Sequence, residues 1–321
     1  MKPLVYITRR IPEEIIKPFE KDYEIEMWDS HEEPVDRELL LEKSRTADAL
    51  VTMLSDKVDQ ELLERAEKLK IVANLAVGYD NIDVKEAVRK GVQLTNTPDV
   101  LTDTTADLVF GLLLATARRL VEAQRYVEED RWKNWSPLLL AGTDVHHKTI
   151  GIVGMGRIGE AVAKRATGFD MNILYHNRSR KKGAEERLGA VYTPFDELLE
   201  TSDYVVCMAP LTEDTEGMFD HQAFKKMKKE AVFINASRGQ TVNEEDLLYA
   251  LQSGEIQSAG LDVFQDEPIS ADHPLLQLDQ VVALPHIGSA TKETRYAMME
   301  LCLENVKLHL EGKEVQTPVS E

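Results

Sequence analysis

Cysteine is nearly missing: Cys207 and Cys302 are the two among 321 residues, with neither CxxC spacing nor a neighbouring histidine cluster. A disulfide framework and a thiolate metal site are therefore not expected, and both thiols read as core residues of a protein in a reducing cytoplasm. Long apolar runs are missing too. The most apolar stretch, Leu108–Ala117, has ten residues, against the roughly 20 needed to cross a bilayer. The chain opens on a strand-like Leu4-Val5-Tyr6-Ile7 without an apolar signal region, so neither a membrane span nor secretion is expected. Basic charge is scarce, with 38 Lys and Arg against 57 Asp and Glu and a formal charge of −19. Such a chain repels nucleic acid and anionic membranes, and an anionic substrate would need specific positive groups at its site. No motif points to a metal, and there is no repeat of solenoid period and no low-complexity segment.

What is present suits two folded lobes. Domains run to about 100 to 200 residues, and a chain that is 43% apolar and 30% charged can build a sizeable core beneath a well-solvated surface. Up to about residue 100, the apolar runs Leu4–Ile7, Ala49–Thr52 and Ile71–Leu75 alternate with helical patterns near Glu13–Phe19 and Gln60–Lys68, which predicts a small parallel α/β lobe. Thr102-Asp103-Thr104-Thr105 offers capping side chains before Ala106–Arg119, a helix apolar on nearly every face and so expected to be buried. Residues 125 to 147 include Trp132, Trp135, Pro137 and three consecutive leucines, and read as a loop too apolar to stand bare in water. They are either core residues or an interface. A second alternation then predicts strands at Thr149–Val153, Ile173–His176, Tyr204–Met208, Ala231–Asn235, Ser258–Val263 and Val281–Leu284, a doubly wound sheet, with a last helix over about Thr291–Leu310.

Gly154-Met155-Gly156-Arg157-Ile158-Gly159 directly follows the first of those six strands and opens a helix. In that setting Gly154 permits a tight turn, Gly156 lets the backbone approach a pyrophosphate, and Gly159 lets helix and strand close up. The helix start at Arg157 and Ile158 offers amides to the anion. The next strand ends at His176. Beyond it, where an NAD-selective site carries an acid for the ribose hydroxyls, stands Asn177-Arg178-Ser179-Arg180-Lys181-Lys182. Guanidinium groups and a serine hydroxyl grip a 2′-phosphate that a carboxylate would repel, so NADP(H) is the expected cofactor, with NAD(H) also usable. The ordinary alternative is a solvated basic turn.

Three later strand ends carry polar residues where an open α/β sheet places its chemistry: Asn235-Ala236-Ser237-Arg238-Gly239, Asp262–Pro268 with Glu267, and Pro285-His286-Ile287-Gly288-Ser289. Singly, Arg238 reads as a surface ion pair, Glu267 as a loop acid and His286 as a core histidine. Together they supply the cation, the proton donor and the orienting carboxylate that keto-acid reduction requires.

With Asn74-Leu75-Ala76-Val77-Gly78-Tyr79-Asp80-Asn81-Ile82-Asp83, Thr102–Asp107, the glycine motif and Pro210-Leu211-Thr212-Glu213-Asp214-Thr215, these segments resemble the D-2-hydroxyacid dehydrogenase family over essentially the whole chain. The glyoxylate/hydroxypyruvate reductase branch is nearest, since it pairs a Trp-rich segment like Arg131–Leu140 with a basic cofactor-selecting turn. The resemblance implies an α/β protein of two doubly wound parallel-sheet domains. A Rossmann-type coenzyme domain at 102–287 would be inserted in a flavodoxin-like substrate domain of 1–101 and 288–321, with a dimerisation loop at about 120–148 and the active site between the lobes. It further implies that Arg238 holds the substrate carboxylate and polarises its carbonyl, that His286 donates the proton, and that Glu267 orients the imidazole. Leu54, Val77, Gly78 and Trp135 would also meet the substrate. Thr105, Pro210, Thr215, Ala236, Ser237, Asp262 and Gly288 would join the glycine motif and Asn177–Arg180 around the cofactor. The activity implied is NADP(H)-dependent reduction of glyoxylate or hydroxypyruvate to a D-2-hydroxy acid by a homodimer. A 2-ketogluconate or other 2-keto acid reductase is the alternative within the family, and an NAD(P)-sensing, corepressor-like binding protein is the alternative of another class.

Overall fold

A parallel sheet covered on both faces requires strands that are apolar at every position, where a half-solvated sheet needs them only at alternate ones. The computed structural model, which describes residues 2–319, has two such sheets in two compact units, Met1–Leu101 with Ala290–Glu321, and Thr102–Ser289. The first unit holds β1 (Leu4–Ile7), β2 (Glu24–Met27), β3 (Ala49–Thr52), β4 (Ile71–Asn74) and β5 (Gln93–Thr95), all parallel, in the order β2-β1-β3-β4-β5. Every residue of β3 and β4 is buried. Asp36, Asp59 and Asp83 cap the helices Arg37–Thr46, Gln60–Arg65 and Val84–Lys90 by accepting from first-turn amides. The helix Lys292–Leu310 packs on β4.

The second unit holds β6 (Thr149–Val153), β7 (Asn172–His176), β8 (Val191–Tyr192), β9 (Tyr204–Cys207), β10 (Val232–Asn235), β11 (Ser258–Leu261) and β12 (Val281–Ala283), in the order β12-β11-β10-β9-β6-β7-β8. The chain leaves β6 toward β7 on one side and reaches β9 on the other. The loops at the carboxyl ends of β6 and β9 therefore diverge and open a crevice between them. Beneath it, Thr102–Ala117 packs on the helix Arg157–Thr167 and on β10 and β11 through Val109, Leu112 and Leu113.

Three sequence expectations change. The helix begins at Thr102, so Thr102–Thr105 form its first turn, and Thr105 is buried within it. The strands β2, β5 and β8 went unread. All three are sheet edges: β2 is Glu-Ile-Glu-Met, with Glu24 exposed, and β5 and β8 are only three and two residues long, too short to show an apolar run. The segment read as a loop from residue 125 begins inside a helix, Leu120–Glu128, none of whose residues is buried. Trp132, Trp135 and Leu138 beyond it are 61%, 75% and 82% exposed, so they are not core residues. Among the described residues no helix is long and apolar enough to cross a membrane.

Candidate active site

The glycine motif forms the turn from β6 into the helix Arg157–Thr167. Gly154 has φ +103, and a Cβ there would lie 2.5 Å from the Met208 carbonyl and the Ala209 amide, so both its dihedral and its neighbours demand glycine. A Cβ on Gly159 would meet the Gly154 carbonyl at 2.2 Å, the close helix-to-strand approach read from the sequence. Gly156 differs: nothing in the protein lies within 4 Å of the Cβ it lacks, and no side chain caps the helix it begins. The open space and uncapped amides fit the pyrophosphate of a dinucleotide. Across the switch point, the Thr215 hydroxyl donates to the Pro210 carbonyl at 2.6 Å and accepts from the Thr212 amide at 2.8 Å, which folds Pro210–Thr215 into a fixed loop after β9.

The basic turn is ordered from beneath. Buried Tyr175 donates its hydroxyl to Glu185 at 2.6 Å and accepts the Lys181 amide at 2.7 Å. Arg180 grips the same Glu185 with two bonds of 3.0 and 2.7 Å, and its guanidinium lies 5.9 Å from the Tyr192 ring centroid. The Arg180 guanidinium and then the Tyr175 hydroxyl draw the Glu185 carboxyl down to about 2. Asn177 donates to the Ser179 carbonyl at 2.9 Å. Arg178 is exposed and has no partner among the described residues. The two arginines singled out in the sequence are thus unequal: one is held by an internal carboxylate and the other is uncommitted.

The three candidate catalytic residues all lie in the second unit. The Glu267 Oε2 stands 2.7 Å from the His286 Nδ1, while its Oε1 accepts the Phe264 amide at 3.0 Å. The two side chains remain 29% and 35% exposed at His286 and Glu267 respectively, so the imidazole is held at one nitrogen and reachable by a small molecule. Burial pushes the Glu267 carboxyl up. His286, the Phe264 amide and Arg238 together outweigh it and leave the group below the usual glutamate range. His286 has φ +53, a left-handed backbone uncommon outside glycine. The buried Asp262 holds it there by accepting the Ile287 amide at 2.8 Å. Burial raises the Asp262 carboxyl against the opposing pull of the Ile287 amide, His286 and the Gly288 amide. A Cβ on Gly288 would lie 3.3 Å from both Asp262 Oδ2 and Thr105 Cγ2, so Thr105, Asp262 and Gly288 meet at one point. The Arg238 turn joins the Glu267 loop at Gly239, which sits against the Phe264 backbone. Arg238 itself donates from Nη1 to the Ser237 carbonyl at 2.9 Å.

Leu54, Val77 and Gly78 belong to the first unit. The Val77 carbonyl accepts from Asn96 at 2.8 Å and the Gly78 carbonyl from Asn74 at 3.0 Å, while neither amide has an acceptor among the described residues. Two amides left this way suit a carboxylate. Asn81 donates to the carbonyls of Met53 and Asp56 at 3.1 and 2.9 Å, pinning the loop that carries Leu54. Sequence reading assigned no role to Asn74, Asn81, Tyr175 or Glu185. The signal available was Asn74, an amide at the end of β4, where such a residue needs a reason to be. Trp135 stands on the exposed segment, with three quarters of its surface open. Among the described residues no group of three or more His, Cys, Asp or Glu could hold a metal.

Residues 110–288 match the family model of the D-isomer specific 2-hydroxyacid dehydrogenase NAD binding domain. A glyoxylate reductase of Thermococcus onnurineus is 51% identical over 100% of this chain and 96% of its own. A Thermus thermophilus crystal structure superposes with a TM-score of 0.93 at 40% identity, covering 99% of this chain and 100% of that one. An NADPH-dependent glyoxylate/hydroxypyruvate reductase of Sinorhizobium meliloti, in complex with NADP and malonate, superposes at 0.86 with 34% identity, covering 100% and 97%. With a dinucleotide turn, a Glu–His pair and an arginine turn on one seven-stranded sheet, and full-length likeness at this level, the chain belongs to the D-isomer specific 2-hydroxyacid dehydrogenase family.

Proposed function

We propose that this protein reduces glyoxylate and hydroxypyruvate to the corresponding D-2-hydroxy acids, with NADPH preferred over NADH. The observation that carries the proposal is the 2.7 Å contact between His286 Nδ1 and Glu267, which leaves Nε2 as the proton donor to a substrate oxygen. When bound, NADPH supplies a hydride to the carbonyl carbon. His286 gives its proton to the carbonyl oxygen, completing the hydroxyl. Glu267, kept ionised, stabilises the protonated imidazole before transfer and fixes its orientation. Arg238 faces the substrate carboxylate and carbonyl oxygen with a planar fork of donors. The Val77 and Gly78 amides hold the carboxylate, and Leu54 borders it. In this reading the unit of residues 1–101 and 290–321 is the substrate domain and that of 102–289 the coenzyme domain, with Asp262 at the nicotinamide amide and Thr105 near the cofactor phosphates.

Preference for NADPH is supported by Arg178. Arg180 is committed to Glu185, so Arg178 with the Ser179 hydroxyl is the cation free to meet a 2′-phosphate. The test is loss of absorbance at 340 nm with NADPH and NADH against glyoxylate, hydroxypyruvate, 2-ketogluconate and pyruvate, for the parent and for Arg178→Ala. Glyoxylate or hydroxypyruvate should be turned over fastest, and the variant should raise the NADPH KM by about tenfold or more while the NADH KM stays within about twofold, as loss of a charge-assisted contact requires. Equal changes for both dinucleotides would remove Arg178 from selection, and silence across the panel would remove the reductase reading.

We further propose that a second copy of this chain covers Trp132, Trp135 and Leu138, with Leu120 and Val127 also exposed on the preceding helix. Large aromatic anchors grouped on one segment are what stable interfaces bury. Light scattering should return twice the 36.3 kDa chain mass, and Trp135→Asp with Leu138→Asp should return the single mass.

A further inference from the structure

The turn that carries Arg238 is built around a buried amide. Asn235 ends β10, the strand between β9 and β11, and is 1% exposed. Its Nδ2 donates to the Arg238 carbonyl at 3.0 Å and to the Thr241 hydroxyl at 3.4 Å. Its Oδ1 accepts from the Ser237 amide and the Ser237 hydroxyl, each at 3.1 Å. Those four bonds use both protons and both lone pairs of the side chain, so it has no capacity left for substrate or cofactor. The Thr241 hydroxyl gives its own proton to the Arg238 carbonyl at 2.7 Å, so that one carbonyl is held from two directions.

The opposite side is closed by Cys207, which ends β9 in register with Asn235. Its sulfur lies 3.3 Å from the Ser237 hydroxyl and 3.5 Å from that of Thr241. Both hydroxyl protons are already committed and complete burial pushes the thiol up, so the thiol keeps its single proton and can give it to one of the two hydroxyls. The Asn235 backbone carbonyl also accepts the Asp262 amide at 2.9 Å, tying the start of the Glu267 loop to the same residue. A half-satisfied network at this depth would cost more than an apolar one. A complete network spent on three residues of a single turn has geometry as its product.

We infer that Asn235, with Thr241, is the positioning residue that sets where the Arg238 guanidinium stands, acting on the reaction only through Arg238. The inference rests on the proposed role of Arg238 as the substrate-holding cation. The experiment is a double-mutant cycle in kcat/KM for glyoxylate at saturating NADPH, with Asn235→Ala, Arg238→Ala and the pair. Asn235→Ala is expected to lower kcat/KM by about 10- to 100-fold, the scale of an ångström's misplacement of a catalytic group. In the Arg238→Ala background the same change should cost less than about twofold, since there is no guanidinium left to misplace. An equal loss in both backgrounds would overturn the inference by making Asn235 a structural residue. Near-parent activity in Arg238→Ala would overturn the reading of Arg238 itself, which is a different failure. Should Asn235→Ala not fold, Thr241→Val, which keeps the volume and deletes the hydroxyl, runs the same cycle and is expected to show the same non-additivity.

Discussion

His286→Ala is expected to lower kcat for glyoxylate reduction by about 10²- to 10⁴-fold, the usual contribution of a positioned general acid. The dinucleotide affinity should change little, because the imidazole is bonded to Glu267 and not to the glycine turn or the basic turn. The pH dependence has a fixed sign. Reduction needs His286 protonated and should lose rate as pH rises, whereas oxidation of the hydroxy acid needs it neutral and should lose rate as pH falls. Glu267 lies below the ordinary glutamate range, so it stays ionised across the working range. Glu267→Gln removes that anion and with it the ionic partner that orients the imidazole, so kcat should fall while dinucleotide affinity holds. Parent turnover in Glu267→Gln would separate Glu267 from the proton donor. The depressed carboxyl also contributes stability at neutral pH, which is lost as pH falls below the ordinary glutamate value and the group takes its proton.

Gly239→Ala should be the most damaging single methyl group in the second unit. Its Cβ would lie 1.8 Å from the Phe264 carbonyl carbon and 1.9 Å from its oxygen, and backbone cannot swing aside as a flexible side chain can. Overpacking of this kind costs about 3 kcal/mol or more, which for a unit of this size corresponds to a fall in Tm of about 6 to 12 °C. The contact joins the Arg238 turn to the loop carrying Glu267, so the displaced backbone should cost turnover along with stability. Gly156→Ala is the counterpart. Nothing lies within 4 Å of its Cβ position, so Tm should hold while dinucleotide affinity falls, because the methyl group fills the space proposed for the pyrophosphate. Loss of Tm in Gly156→Ala with affinity intact would mean that this glycine serves the fold and not the cofactor.

Most of the architecture was legible because parallel sheets write themselves as short, fully apolar runs. The inner strands of both sheets were all read within a residue or two. The three strands that escaped are edges: a solvated side permits Glu24 in β2, and β5 and β8 are too short for a pattern to show. The first turn of the helix at Thr102 was mistaken for its cap because threonine and aspartate serve both places. The Trp-rich segment was read as either core or interface, and its core reading fails because the chain leaves it exposed.

Local sterics and chain pattern determined, from sequence alone, where the inner strands run, where the backbone must turn tightly at Gly154, and which strand ends carry an arginine, a carboxylate and a histidine. The tertiary structure decided which of those groups are committed and how they are aimed. Arg178 and Arg180 are two residues apart and chemically identical, yet a hydrogen-bonded Glu185 resting on Tyr175 occupies one and leaves the other exposed. His286 is aimed by a left-handed backbone that Asp262 holds from the neighbouring strand, and the Arg238 turn is held by an amide with no bond left to give. Pairings of this kind depend on distances of about 3 Å between atoms of different elements, and only the packing of the sheet sets those distances.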